Sequence, residues 1–528
     1  MTLKPSEIFA EYRSGVQFKS CLGKRGMYEQ NRVNERFYIG DQWYGAKCGN
    51  DRPLVRHNVI KRIGDYKMSQ VLSSPATVEF SAEGIPFERN IALSKQNAFD
   101  GTFNEVDLVT RAFGKYFNTS CERLNFGDLQ EKVLRNSYVS GTGVLYTYWD
   151  SGVETGLFAD DFKRVKIKGD ISCQVLDIED VYFGDNYIED LQNQPYIIIA
   201  STLDTETVLR EARLYGANIS DLRRIEENQQ GGKTTLLTKL FKEYKPDGSY
   251  TIKCIKVCEA SVVRPVFDTK LRLYPLSVFK WERKNNSPYG ESEITYLIPN
   301  QIAINRMITA NVWSAMTTGM PIMLVNGDTV TEKITNEPGQ IIKVFGSNED
   351  VAGAVKYVAP PTFEKEYDSS INSLINNTLT QSGANEVALG DSRADNATAL
   401  MTMRSAALMP LQIVKNRFYT FIEETARIWA EFWIMQYGNR KIKISDASGS
   451  WYLPLESERF KNLLINTKVE VADDIVYSEK ERISTLLTLF DKGVINREQL
   501  LSRLPDGVIT DKKALLNEGG EEQENDRQ

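Results

Sequence analysis

The sequence predicts an α+β chain of several domains with one very long helix, and three observations predict it. At 528 residues the chain exceeds what a single hydrophobic core holds, so it divides into two to four domains. Helical patterns up to Val139 are followed by a group of short β runs rather than by strict strand–helix alternation. Over residues 397–437, Leu400, Met403, Ala407, Leu411, Val414, Phe418, Phe421, Ile422, Trp429 and Phe432 recur at three- and four-residue intervals, which makes one apolar helical stripe.

From Pro5 to Val33 the pattern is helical and well charged. An aromatic cluster (Phe37, Tyr38, Trp43, Tyr44) and a Gly-rich turn follow, then an amphipathic helix carrying Val59, Ile60, Ile63, Tyr66 and Met68. Gln96–Leu108 and Asp128–Val139 read as further helices. The β runs are VLYTYWD after the turn Gly141-Thr142-Gly143, VKIKGDISCQVL, and DVYFGD to PYIIIA. Leu203–Tyr215 is helical, Glu226–Thr235 is a polar loop, and Lys245-Pro246-Asp247-Gly248 is a hairpin turn between FKEY and YTIKCIKVC.

After Leu276 the layout changes. A helix is expected over Ser292–Thr318, interrupted early by Pro299 and closed by Gly319 and Pro321. A small β-rich insert follows (PIMLVNGD, QIIKVF, VKYVAPP), and a helix starting at Thr362 carries Phe363, Tyr367, Ile371, Leu374 and Leu379. If the insert is compact, the helices bordering it leave and return side by side, as a stalk with a tip. Next comes a polar loop, 384–396, holding Asp391, Ser392, Arg393, Asp395 and Asn396, with little to bury. Asn396 and Thr398 mark the start of the long helix, Pro410 should kink it, and Gly438 and Asn439 end it after roughly 60 Å. The segments KIKI, WYLP and TKVEVAD read as strands. Ser478 precedes a helix, Asn496 caps another, and Asn517–Gln528 is an acidic tail expected to be disordered.

The composition excludes much chemistry. His57 is the only histidine, which removes Ser-His-Asp triads and histidine-built zinc sites and leaves His57 a structural or surface residue. Six cysteines (Cys21, Cys48, Cys121, Cys173, Cys254, Cys258) lack framework spacing and fit free thiols in a reducing compartment. Cys254 and Cys258, on one strand face, would stand roughly 13 Å apart, too far to share a metal. Gly231-Gly232-Lys233-Thr234-Thr235 resembles the end of a phosphate loop, but Glu227 stands where its first glycine is needed, so it reads as a flexible loop. The pairs Asp160-Asp161 and Asp473-Asp474 read as solvated loops rather than Mg²⁺ ligands. No enzyme signature and no cofactor site emerge. The net charge of −7 argues against tight non-specific binding of nucleic acid, and the longest apolar run is too short for a membrane span. A soluble protein made in a cytoplasm is expected.

In order along the chain, ERFYIGDQW, RPLVRHNVIKRIGDY, YVSGTGVLYTYWD, VLDIEDVYFGD with PYIIIA, SPYGESEITYLIPNQIAINRM, GMPIMLVNGD and GDSRADNATALMTMRSAA together resemble the portal proteins of tailed bacteriophages. The likeness covers most of the chain, and SPYGES and NATA are its best single markers. It implies a wing formed by 1–286 and 383–476, stem helices over 287–318 and 362–382, a clip over 319–361, and a crown with the acidic tail over 477–528. It also implies a ring, typically of twelve copies, at one capsid vertex of a virion assembled in a host bacterial cytoplasm, through which double-stranded DNA is packaged and ejected. The implied partners are the large terminase, head-tail adaptor or neck proteins, the major capsid protein and, where present, a scaffolding protein, with no membrane. Residues 384–396 match the tunnel loop, and Asn300, Asn305, Asn372, Asn376 and Asn377 are placed on the channel face of the stem. The alternatives are a metal-dependent nucleic-acid enzyme, which Mg²⁺-dependent cleavage would reveal, and another neck connector ring, which the length disfavours.

Overall fold

The computed structural model describes residues 3–46, 53–73, 76–82, 90–91, 103–158, 166–259, 261–318, 322–326, 355–358, 365–384, 409–437, 439–446, 449–456, 465–471 and 479–496, with isolated positions between 328 and 353 and at 500, 501 and 504. The chain is mixed α+β, with helices packed around several antiparallel sheets.

The helical pattern over 5–33 becomes two helices, α1 (Pro5–Cys21) and α2 (Met27–Ile39). Between them Gly26 adopts φ 80°, and a Cβ there would meet Ser20 O at 2.3 Å. In α3 (Val59–Leu72) the Asn58 side chain caps the first turn by accepting from Lys61 N at 3.1 Å. Strand β1 (Ala76–Ala82) and the short pair β2 (Asn90–Ile91) and β3 (Phe103–Asn104) lead to α4 (Glu105–Leu124) and α5 (Phe126–Ser140). The helix expected over Gln96–Leu108 is thus displaced: 96–102 lie outside the described residues, and the amphipathic run that is helical begins at Glu105.

Strands β4 (Thr142–Phe158), β5 (Lys166–Leu176), β6 (Val181–Phe183) and β7 (Tyr196–Asp204) precede α6 (Thr205–Leu214) and α7 (Ile219–Glu227). Strands β8 (Lys233–Tyr244), β9 (Tyr250–Val257), β10 (Val262–Asp268) and β11 (Leu276–Lys280) complete two sheets, ordered β11-β4-β5 and β10-β9-β8-β7-β6. The β8–β9 hairpin turns at Lys245–Gly248, as its Pro-Asp-Gly run predicts. The loop expected over Glu226–Thr235 is instead the end of α7, a tight turn with Gly231 and Gly232 at φ 58° and 78°, and the start of β8. Gly232 O accepts from both Thr205 N and Thr205 Oγ1, so this turn is a structural tie.

Helix α8 (Glu293–Thr318), the antiparallel pair β12 (Ile322–Val325) and β13 (Val355–Val358), and α9 (Lys365–Gln381) follow. Pro299 does not interrupt α8 but lies inside it. It removes one ladder donor, yet Leu297 before it and Gln301 after it are both buried against the body, so packing holds the helix continuous. Pro410 falls in a 3₁₀ turn, Met409–Leu411, and the described helix α10 runs Gln412–Gln436. The upstream part of the long helix, 397–408, lies outside the described residues. The hairpin β14 (Asn439–Asp446) and β15 (Gly449–Glu456), then β16 (Ile465–Val471) and α11 (Glu479–Asp491), close the described chain. The tail 517–528 lies outside it.

Helix α10 is the spine of the largest core. Trp429 packs on Phe117 and Phe126 with ring centroids 5.2 Å apart in each case, and Trp433 on Phe113 at 5.7 Å. Strand β16 pairs with β1, Ala76 opposite Val471, so the chain beyond α10 returns to the N-terminal body.

Candidate channel-forming stalk

The start of α8 is set by two glycine-bearing segments pressed together. Trp281 N donates to Gly141 O at 3.0 Å, Gly290 N donates to Thr142 Oγ1 at 2.8 Å, and Ser292 Oγ donates to Tyr138 O at 2.6 Å. A Cβ on Gly290 would lie 2.3 Å from Gly141 O, so only glycine allows this approach. From there Glu293 forms a 2.6 Å ion pair with Lys67 of α3, and its other oxygen accepts from Trp281 Nε1 at 3.1 Å.

Two turns further, polar side chains weld α8 to the start of α3. Gln301 Oε1 accepts from Val59 N and Ile60 N at 3.0 and 3.3 Å, while Gln301 Nε2 donates to His57 O at 2.6 Å. Asn305 Oδ1 accepts from His57 N at 3.1 Å, and Asn305 Nδ2 donates to Gln42. The α3 N-terminus thereby gains acceptors for its free amides. His57 itself is exposed and is held through its backbone.

Past Arg306 the character of α8 changes. Residues 307–318 carry no charged side chain, none of 307–316 is fully buried, and Met316 is 62% exposed. Helix α9 runs antiparallel beside α8, because Asn300 Nδ2 bonds Thr378 Oγ1 at 3.3 Å near the base and Asn311 Nδ2 bonds Asp368 Oδ1 at 2.7 Å further out. Ile371 and Leu379 face inward, and Tyr367 is 42% exposed. At the outer end the β12–β13 pair joins the region between the helices. Of the expected stalk with a tip, the two antiparallel helices are present, the longer of 26 residues, about 39 Å, while most of the insert at 319–361 lies outside the described residues.

The five asparagines placed on one stem face do not share it. Asn372, Asn376 and Asn377 are exposed on α9, whereas Asn300 turns to Thr378 and Asn305 is only 2% exposed inside the α3 joint. Asn305 is corrected from a channel residue to a structural one, since its amide is saturated by the body. Gln301 and Asn305, an i, i+4 amide pair on an otherwise apolar stretch, were the available signal for such a joint.

The loop residues Asp391, Ser392, Arg393, Asp395 and Asn396 lie outside the described residues, but their anchors do not. Gly383 ends α9 at φ 76°, and a Cβ on it would lie 3.4 Å from Pro410 Cβ. The chain between Ala384 and Met409 thus leaves and re-enters the body at one place, the foot of the stalk. Among the described residues no group of three or more His, Cys, Asp and Glu side chains gathers as metal ligands, and no helix is long and apolar enough to cross a membrane. The sequence matches no protein-family model and no curated protein.

Proposed function

We propose that the chain is one subunit of a ring-shaped portal at a capsid vertex, a conduit for double-stranded DNA. The observation that carries this reading is the antiparallel α8–α9 stalk, welded to the body at its base, in which α8 is uncharged beyond Arg306 and incompletely covered. A helix pair that projects in this way loses apolar surface to water unless copies of itself cover it. A closed ring supplies that cover when each subunit offers two different complementary patches. A neutral polar lining suits a conduit, because a channel rich in Lys and Arg would hold phosphates through counterion release and resist sliding.

In this reading 1–286 and 383–476 form the wing, α8 and α9 the stem, 319–361 the clip and 477–528 the crown. The return of β16 to β1 and the single core shared by α3, α4, α5 and α10 support the grouping of the first two segments. Residues 384–396 are the tunnel loop, in which Asp391 and Asp395 repel phosphates and Arg393 touches one. The clip takes the terminase and later an adaptor, through the strand edges that the β12–β13 pair leaves unpaired among the described residues. Negative-stain microscopy with sedimentation of the purified chain tests the reading. Closed rings, about twelve-fold as in the resembling family, are expected. A monomer at every concentration and salt overturns the proposal.

A further inference from the structure

A cavity of about 790 Å³ opens on the face of the five-stranded sheet opposite α1. At one end this face is covered by α6 and α7, and at the other by the β11-β4-β5 sheet; the cavity is the gap between these covers. Its volume lies within the range of small-molecule sites. On the β4 side Tyr146 and Tyr148 stack with centroids 5.6 Å apart and planes 28° from parallel. On the opposite side the Arg264 guanidinium lies 4.2 Å from the ring centroid of Tyr215 and 3.4 Å from that of Phe267.

We propose that this cleft binds a small planar aromatic carboxylate, its ring against the tyrosines of β4 and its carboxylate on the edge of Arg264. Tyr215 and Phe267 cover the guanidinium, so the donors left to it point outward in its plane, the geometry that pairs with two oxygens of one carboxylate. Among the described residues the Arg264 guanidinium has no hydrogen-bond or ion-pair partner; its ring contacts are to Tyr215 and Phe267. Neighbouring Lys256 does have one, Glu211 at 2.6 Å, so the two cations are not equivalent. Burial pushes the Tyr146 phenol up while the Arg264 charge pulls it back, which puts the two walls within electrostatic reach of each other. Asp177 and Asp180 also line the cavity, and their charges favour a monoanion over a phosphate dianion. No residue of α8 or α9 lines the site.

The test is calorimetric titration of the full chain with indole-3-carboxylate and, separately, with indole-3-carboxamide, which keeps the ring and removes the charge. The acid should bind with a dissociation constant below about 1 mM and the amide at least about tenfold more weakly. Arg264→Gln should abolish that preference, Arg264→Lys should restore only part of it, and Tyr148→Ala should weaken both ligands. Circular dichroism and the thermal midpoint identify any variant that does not fold, in which case the acid–amide comparison on the unaltered chain decides. Equal binding of acid and amide, a preference that survives Arg264→Gln, or no saturable binding of the acid overturns the proposal.

Discussion

Lys67 of α3 and Glu293 in the first turn of α8 meet at 2.6 Å with each side chain only 10% exposed, and Trp281 donates to the same carboxylate. Removing one partner leaves the other charge buried and unpaired. Lys67→Met or Glu293→Gln should therefore each destabilise the body by about 3–5 kcal/mol. The double variant should lose less than the sum of the two, as a double-mutant cycle in urea would measure.

Gly290 and Gly114 should respond in opposite directions to alanine. A methyl on Gly290 meets the backbone oxygen of Gly141, whereas one on Gly114, inside α4, meets nothing within 4 Å. Gly290→Ala should cost about 1–3 kcal/mol or more through overpacking against backbone. Gly114→Ala should stabilise by about 0.5–1 kcal/mol through helix propensity. Thermal unfolding of the two variants side by side checks the sign of each.

Lys19 gives the fold a pH dependence. Its ammonium is wholly buried and donates to the carbonyls of Ile178, Glu179 and Val181 at 2.5, 3.0 and 2.7 Å. Burial pulls its pKa from 10.5 down to about 7, against the opposing pull of Asp180. Between those values the unfolded chain holds a proton that the folded chain has released, so the contribution of Lys19 to stability rises with pH across that window. Urea unfolding at pH 7 and pH 9.5 should show the unaltered chain gaining on Lys19→Met as the pH rises, by up to about 1.4 kcal/mol per pH unit. A difference that stays flat would show that the carbonyl cradle keeps the ammonium charged throughout.

Met316→Glu separates folding from assembly. The side chain is 62% exposed in the single chain, so stability should change by no more than about 0.5 kcal/mol. If a neighbouring stalk covers that face, the variant remains folded and fails to form rings in sedimentation and microscopy. Rings that assemble normally would remove the outer half of α8 from the subunit interface.

On the portal reading, replacing Asp391 and Asp395 together by Lys should make the loop hold DNA phosphates more tightly. The length and retention of packaged DNA are the measurements. Unchanged packaging and ejection with intact rings would mean that the loop does not govern passage.

What the sequence determined by itself was local. The Pro-Asp-Gly run closed the β8–β9 hairpin, the apolar spacing of 128–139 gave α5, and the order helix, strands, helix gave the stalk. In the first two cases the signal and the structure span the same few residues. What only the tertiary structure decided was which partner covers each face. Nothing near Ala76 foretells its pairing with Val471, and Pro299 breaks a helix in isolation but not one held at Leu297 and Gln301. The same reason moved Asn305 from an open face into a joint and gathered Tyr146, Arg264 and Glu211 from distant strands and a helix into one cleft. Periodicity records that a face is buried or polar; the identity of what lies against it is a long-range property, fixed only when the chain has packed.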